Sequence, residues 1–295
     1  MDYDLCNTFS IVIENYPDQS NITEEHDIHN IDDIEEYCRV EESEEKKCKT
    51  ELDKINAACL WLLNNNIPHR IDDLSNDQIK AFIIYIMIWL NYMLNLKKDE
   101  INLSDFYNNI ENDTNYTNCT YDNSDCNSKL NAKAGYNNFK EVIVKNKDFS
   151  NIDFEDISKF YDAFKLLCKM HDEINDGTLD CTKYLEYANK IVDKFKKHND
   201  DSSISGDSSY SKVWSTLSTD YNNFKNEYYD TSCMDIPSFP SIKITQPHIQ
   251  SSDVTSSSFS IVKKLILALS IFSAITIFLG IFYKVNNKKF KNYFH

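Results

Sequence analysis

Glycine is nearly missing from this chain: there are four in 295 residues, Gly135, Gly177, Gly206 and Gly280, scattered along its length. A phosphate cradle needs glycines close together so that backbone N–H groups can wrap an anion, so P-loop and dinucleotide-fingerprint chemistry are excluded. Arginine is limited to Arg39 and Arg70. Alternating apolar and polar residues never run to a useful length, so an extended sheet is not expected. No two cysteines stand as CxxC, and every gap between them exceeds the few residues over which zinc ligands usually gather. The opening "MDYDLCNTFSIVIENY" is acidic where a secretory signal is basic, and residues 11–13 are too brief for its apolar core.

What is present begins with negative charge. The whole chain carries −16, and six lysines with no acid follow Ser260, so the preceding 260 residues carry −22. Such a surface repels phosphate backbones, and nucleic acid is not an expected partner.

Two apolar runs then need separate readings. "IKAFIIYIMIWLNYMLNLKK" holds about 16 residues before its lysines, roughly 24 Å of helix against about 30 Å of hydrocarbon. Asn91 and Asn95 inside it need amide partners that lipid does not supply. It reads as a helix surrounded by other helices. "LILALSIFSAITIFLGIFY" begins at Leu265, ends at Tyr283 and contains no charge, with a rise of about 28 Å that suits a bilayer. It is expected to span once. Lys263 and Lys264 precede it, whereas Lys284, Lys288, Lys289 and Lys291 follow, an excess that places the tail 284–295 in the cytosol and the domain across the membrane.

The nine cysteines all precede that span, which fits a disulfide framework in an oxidising compartment with at least one thiol left over. A lone span followed by about 12 residues also suits a tail anchor inserted after synthesis, which would leave the domain in the cytosol as an adaptor.

Helical stripes recur through residues 1–234. Leu5, Phe9, Val12, Ile13 and Tyr16 form one; Leu52, Ile55, Cys59 and Leu62 another; Ile157, Phe160, Tyr161, Phe164, Leu167 and Cys168 a third; Tyr184, Ala188, Ile191, Val192 and Phe195 a fourth. Trp214, Leu217, Tyr221, Phe224 and Tyr228 repeat at 3-4-3-4, an aromatic seam that packs into its own bundle or grips a partner helix. The fold class expected is all-α, a disulfide-bearing bundle. Residues 111–131 read as a polar loop that pairing of Cys119 with Cys126 would fasten, 199–209 as a linker, and 235–260 as a Ser/Thr/Pro stalk reaching up to about 80 Å.

Chemistry is sought and not found. His26 and His29 are three apart but lack further ligands at recognisable spacing. Cys168 and His171 lie one turn apart, yet Cys168 sits on an apolar stripe where a thiol is inert. Five Asn-x-Ser/Thr sequons, at Asn21, Asn102, Asn112, Asn115 and Asn118, are what an Asn-rich chain produces by chance. No catalytic residue, cofactor or metal is expected.

The segments "LDKINAACLWLL", "YIMIWLNYMLNLKK", "ISKFYDAFKLLCKM", "YSKVWSTLSTDYNNFKN" and "FLGIFYK" resemble, in order and character, the Plasmodium interspersed repeat (PIR) proteins of the rodent-malaria branch. The resemblance implies a non-enzymatic variant antigen with a helical, disulfide-bearing ectodomain, one C-terminal span and a short tail. It implies export into the infected red cell, a role in antigenic variation and immune evasion, possible adhesion, and a host receptor or antibody as partner. It also implies that a conventional signal is dispensable. Cys6, Cys38, Cys48, Cys59, Cys168 and Cys181 fall where that family usually has cysteines, while Cys119 and Cys126 lie in a variable loop. The tail "VNNKKFKNYFH" is shorter than the family's usual one.

Overall fold

The structure, a computed structural model, describes residues 2–18, 26–38, 47–117, 119–121, 124–175, 181–196, 204–205, 208–228, 233, 235–241 and 244–245. The chain divides into two units, 1–246 and 247–295. The second lies outside the described residues, and with it the predicted span, its ends Leu265 and Tyr283, Lys284 and the tail.

Nine α-helices carry the described part of the first unit. They are α1 Tyr3–Asn15, α2 Glu51–Asn66, α3 Asn76–Leu96, α4 Leu103–Asn112, α5 Asn127–Ala134, α6 Phe139–Lys145, α7 Phe154–Asn175, α8 Cys181–Phe195 and α9 Ser209–Tyr228. Two pairs of two-residue strands join them. β1 Thr120–Tyr121 runs antiparallel to β2 Ser124–Asp125, and β3 Ile204–Ser205 runs parallel to β4 Ile244–Thr245.

Local chemistry sets the helix starts. Thr50 and Asp53 form a reciprocal capping box at α2, and Ser75 and Gln78 do the same at α3. Each box satisfies two N–H groups that the first turn leaves without partners. Gly135 closes α5 in the left-handed conformation, φ 80°, that glycine adopts without a Cβ penalty.

Helix α3 sits centrally, packing on α2, α5, α7 and α9, and α7 packs in turn on α1, α8 and α9. Aromatic rings make the α3–α7 contact. Tyr85 stacks on Phe164 at 4.5 Å, Phe9 of α1 meets the same Phe164 edge-on at 4.7 Å, and Tyr92 lies 4.4 Å from Tyr161. Trp89 is wholly buried.

This burial answers the question of the first apolar run on different grounds from the sequence. The helix has 21 residues, five of them ahead of Ala81, and its rise of about 31 Å would cross a bilayer. By length and composition it qualifies as a span. Asn91 and Asn95 also find their partners inside the helix, donating at 2.8 Å to the carbonyls of Met87 and Asn91. What decides is the company α3 keeps: Phe82, Tyr85, Ile86, Trp89 and Leu90 are all enclosed by protein.

Candidate functional site

Each candidate cysteine has a place. Cys6 bonds Cys168 across α1 and α7, Cys38 bonds Cys48, Cys119 bonds Cys126, and Cys181 at the start of α8 bonds Cys233 beyond α9. Their Cα separations, 5.2, 4.8, 5.1 and 5.3 Å, are ordinary for disulfides. Cys59, grouped with the pairing cysteines in sequence, is the free one. It faces the core from α2, and burial pushes its thiol up to about 12, so it remains protonated and inert at neutral pH.

The chemical constellations dissolve on inspection. His29 bridges Asp27 Oδ1 at 2.6 Å through Nδ1, while its Nε2 accepts from the Cys48 N–H at 3.2 Å. His26 Nδ1 lies 2.7 Å from the Glu14 carbonyl. Both imidazoles fasten loops. His171 cannot serve as base to Cys168, whose sulfur is committed to Cys6. Burial lowers the His171 pKa to about 4, and its ring meets Phe224 edge-on at 4.5 Å. No cluster of three or more metal-ligating side chains occurs among the described residues.

Two open grooves carry charge. One of about 920 Å³ runs between α1, α7 and α8. Its ions are cross-linked: Lys165 reaches Asp18 at 2.6 Å and Asp162 at 3.4 Å, and Lys194 reaches Asp162 at 2.9 Å. The other, about 870 Å³, lies between α3 and α9 with Asp220 and His171 in its wall. Asp220 accepts from the Tyr85 hydroxyl at 2.8 Å, a buried pairing that the sequence did not single out.

The polar segment 111–131 is more ordered than a loop. It holds the end of α4, the β1–β2 hairpin and the start of α5. Tyr116 is the root, fully buried, with its hydroxyl 2.8 Å from Asn56 Oδ1 of α2; Asn56 Nδ2 in turn donates to Asp113 at 3.2 Å. The Cys119–Cys126 bond closes the hairpin, and Asn127 Oδ1 accepts the Cys119 N–H at 3.1 Å. From this base Asn112, Thr114, Asn115, Thr120, Ser124 and Asp125 are exposed.

The aromatic seam of α9 is not offered to solvent. Trp214, Leu217, Tyr221 and Phe224 are buried in the chain's own bundle; the side chain of Tyr228 lies outside the described residues. Part of what covers them is a stretch that composition assigned to a stalk. Ile236 and Phe239 are buried, Phe239 standing 5.2 Å from the Trp214 ring, so residues 235–241 belong to the domain. Two large apolar residues three apart, inside a Pro/Ser run, were the available signal. The remainder of the predicted stalk, apart from 244–245, and most of the linker 199–209 lie outside the described residues.

Comparison with known proteins adds two findings. A family profile described as "Plasmodium variant antigen protein Cir/Yir/Bir" matches residues 6–284. A solved structure described as "Structure of a Plasmodium PIR protein ectodomain" is similar at a TM-score of 0.57 and 26% identity, over 81% of this chain and 99% of that one. No curated protein matches.

Proposed function

The chain belongs to the Plasmodium Cir/Yir/Bir variant-antigen family, and from that premise we propose that it is a non-enzymatic surface antigen of a malaria parasite, anchored by one C-terminal span. It is exported to the infected red cell and serves immune evasion, with adhesion as a further role. The observation that carries the reading is covalent: eight of the nine cysteines are paired within one helical domain, which suits an oxidising compartment rather than a reducing cytosol. The similar structure is of an ectodomain, which supports the same orientation. The exposed side chains around the β1–β2 hairpin are the surface that antibodies or a host receptor would read.

Protease treatment of intact infected cells tests this. Digestion of the domain from outside is the expected result. Full protection on every intact membrane, with the cysteines reduced, would instead favour a tail-anchored adaptor facing the cytosol.

A further inference from the structure

Part of the cover over the α9 seam is a short piece of chain with its own attachments. Phe239 inserts among Trp214, Tyr221 and Phe195, at ring distances of 5.2, 5.5 and 5.6 Å. The Tyr221 hydroxyl donates to the Pro237 carbonyl at 2.8 Å, and Lys225 Nζ lies 3.3 Å from Ser238 Oγ. Beyond it, Ile244 and Thr245 pair with Ile204 and Ser205 through two residues only. Just before it, Asp235 holds φ 74°, a left-handed conformation that costs any residue with a Cβ. Two residues further back, Cys233 is bonded to Cys181. A few noncovalent contacts thus follow a strained hinge, and the hinge follows a covalent stop.

We propose that the face formed by Phe195, Trp214 and Tyr221 is a groove for an extended, proline- and aromatic-bearing peptide, closed in cis by residues 235–241 as a releasable strap. Tension from the C-terminal side lifts the strap as far as Cys233, and the bond to Cys181 stops the release there. Only the source of that tension rests on the membrane anchor proposed above. The occupant's chemistry is on display in "IPSFP": prolines keep the segment extended, Phe239 fills the aromatic pocket, and the Pro237 carbonyl meets the Tyr221 hydroxyl.

The test pulls the full chain in a single-molecule trap through handles at the N-terminus and at Gln246→Cys, so that the outcome does not depend on whether 265–283 sits in lipid. Cys233 and Thr245 are 12 residues apart. A first, reversible lengthening of up to about 40 Å is expected before the bundle yields. Phe239→Ala lowers the force of that first step and leaves the later one unchanged. Cys181→Ser with Cys233→Ser removes the stop, so α9 follows the strap. In a second measurement, the labelled peptide DIPSFPS binds chains carrying Ile236→Ala and Phe239→Ala and not the wild type. Opening of strap and bundle in one cooperative step, or absence of peptide binding to the double variant, overturns the proposal.

Discussion

The α3–α7 core and the hairpin segment that follows α4 are stabilised in opposite ways. In the core, order is spread over many apolar contacts, so that Phe164 alone touches rings from α1 and α3. In the hairpin segment it is concentrated in Tyr116, the Cys119–Cys126 bond and Asn127, and the side chains of Thr120, Ser124 and Asp125 between these points face water. A change anywhere in the first region is felt by its neighbours, whereas the second leaves most positions free to vary. A surface antigen of the kind proposed above would use both arrangements.

The sharpest way to break this contrast is through the covalent link that serves the core. Cys6 and Cys168 are 162 residues apart, and removing their bond by paired serine substitution is expected to cost about 5 kcal/mol on the loop-entropy estimate. Urea unfolding followed by far-ultraviolet circular dichroism measures it. A loss below about 1 kcal/mol would mean that the α1–α7 packing suffices alone. Next comes Trp89→Ala, which empties a wholly buried site and should cost about 4 kcal/mol in the same assay.

The two regions also differed in how far sequence could disclose them. The stripe on α7 was readable because Ile157, Phe160, Tyr161, Phe164 and Leu167 share one face of a single helix, and all are buried. The order around Tyr116 was not, because its partner Asn56 lies 60 residues away and no local pattern announces the meeting. Cys59 misled for the same reason: its position on a helical stripe was legible, but which cysteine would come within bonding distance was a tertiary fact. Composition misplaced Phe239, since Pro and Ser suit a packed extended segment as well as a solvated stalk.

Acid provides a probe of the core. Burial holds the His171 pKa at about 4, below its ordinary 6.5, so folding keeps the ring neutral. The unfolded chain therefore binds the additional proton between those values, and stability falls as pH drops from about 6.5 towards 4, by about 3 kcal/mol in all. Above pH 6.5 the group contributes no slope. His171→Gln should flatten that limb of the stability–pH curve, and an unchanged limb would assign the acid sensitivity to other groups. Breaking the local staple ranks below this. Cys119 and Cys126 are seven residues apart, and their paired replacement by serine should cost about 2 kcal/mol. Hydrogen exchange should place the loss in residues 113–130, with α3 and α7 amides unaffected.

The smallest effect is the most informative about function. Asn115, Thr120, Ser124 and Asp125 are exposed around a base that other residues hold. Exposed substitutions away from caps and buried networks usually change stability by less than about 0.5 kcal/mol. Asn115 donates its backbone N–H to Asp113 at 2.9 Å, a bond that does not involve its side chain, so Asn115→Ala should obey that limit. Ser124→Lys should obey it too while altering the charge of the hairpin rim. Antibodies raised against the wild-type domain should then lose affinity for Ser124→Lys although its melting curve is unchanged. If instead the substitution unfolds the hairpin, the rim is part of the scaffold, and the separation between a constant core and a variable surface must be drawn elsewhere on the molecule.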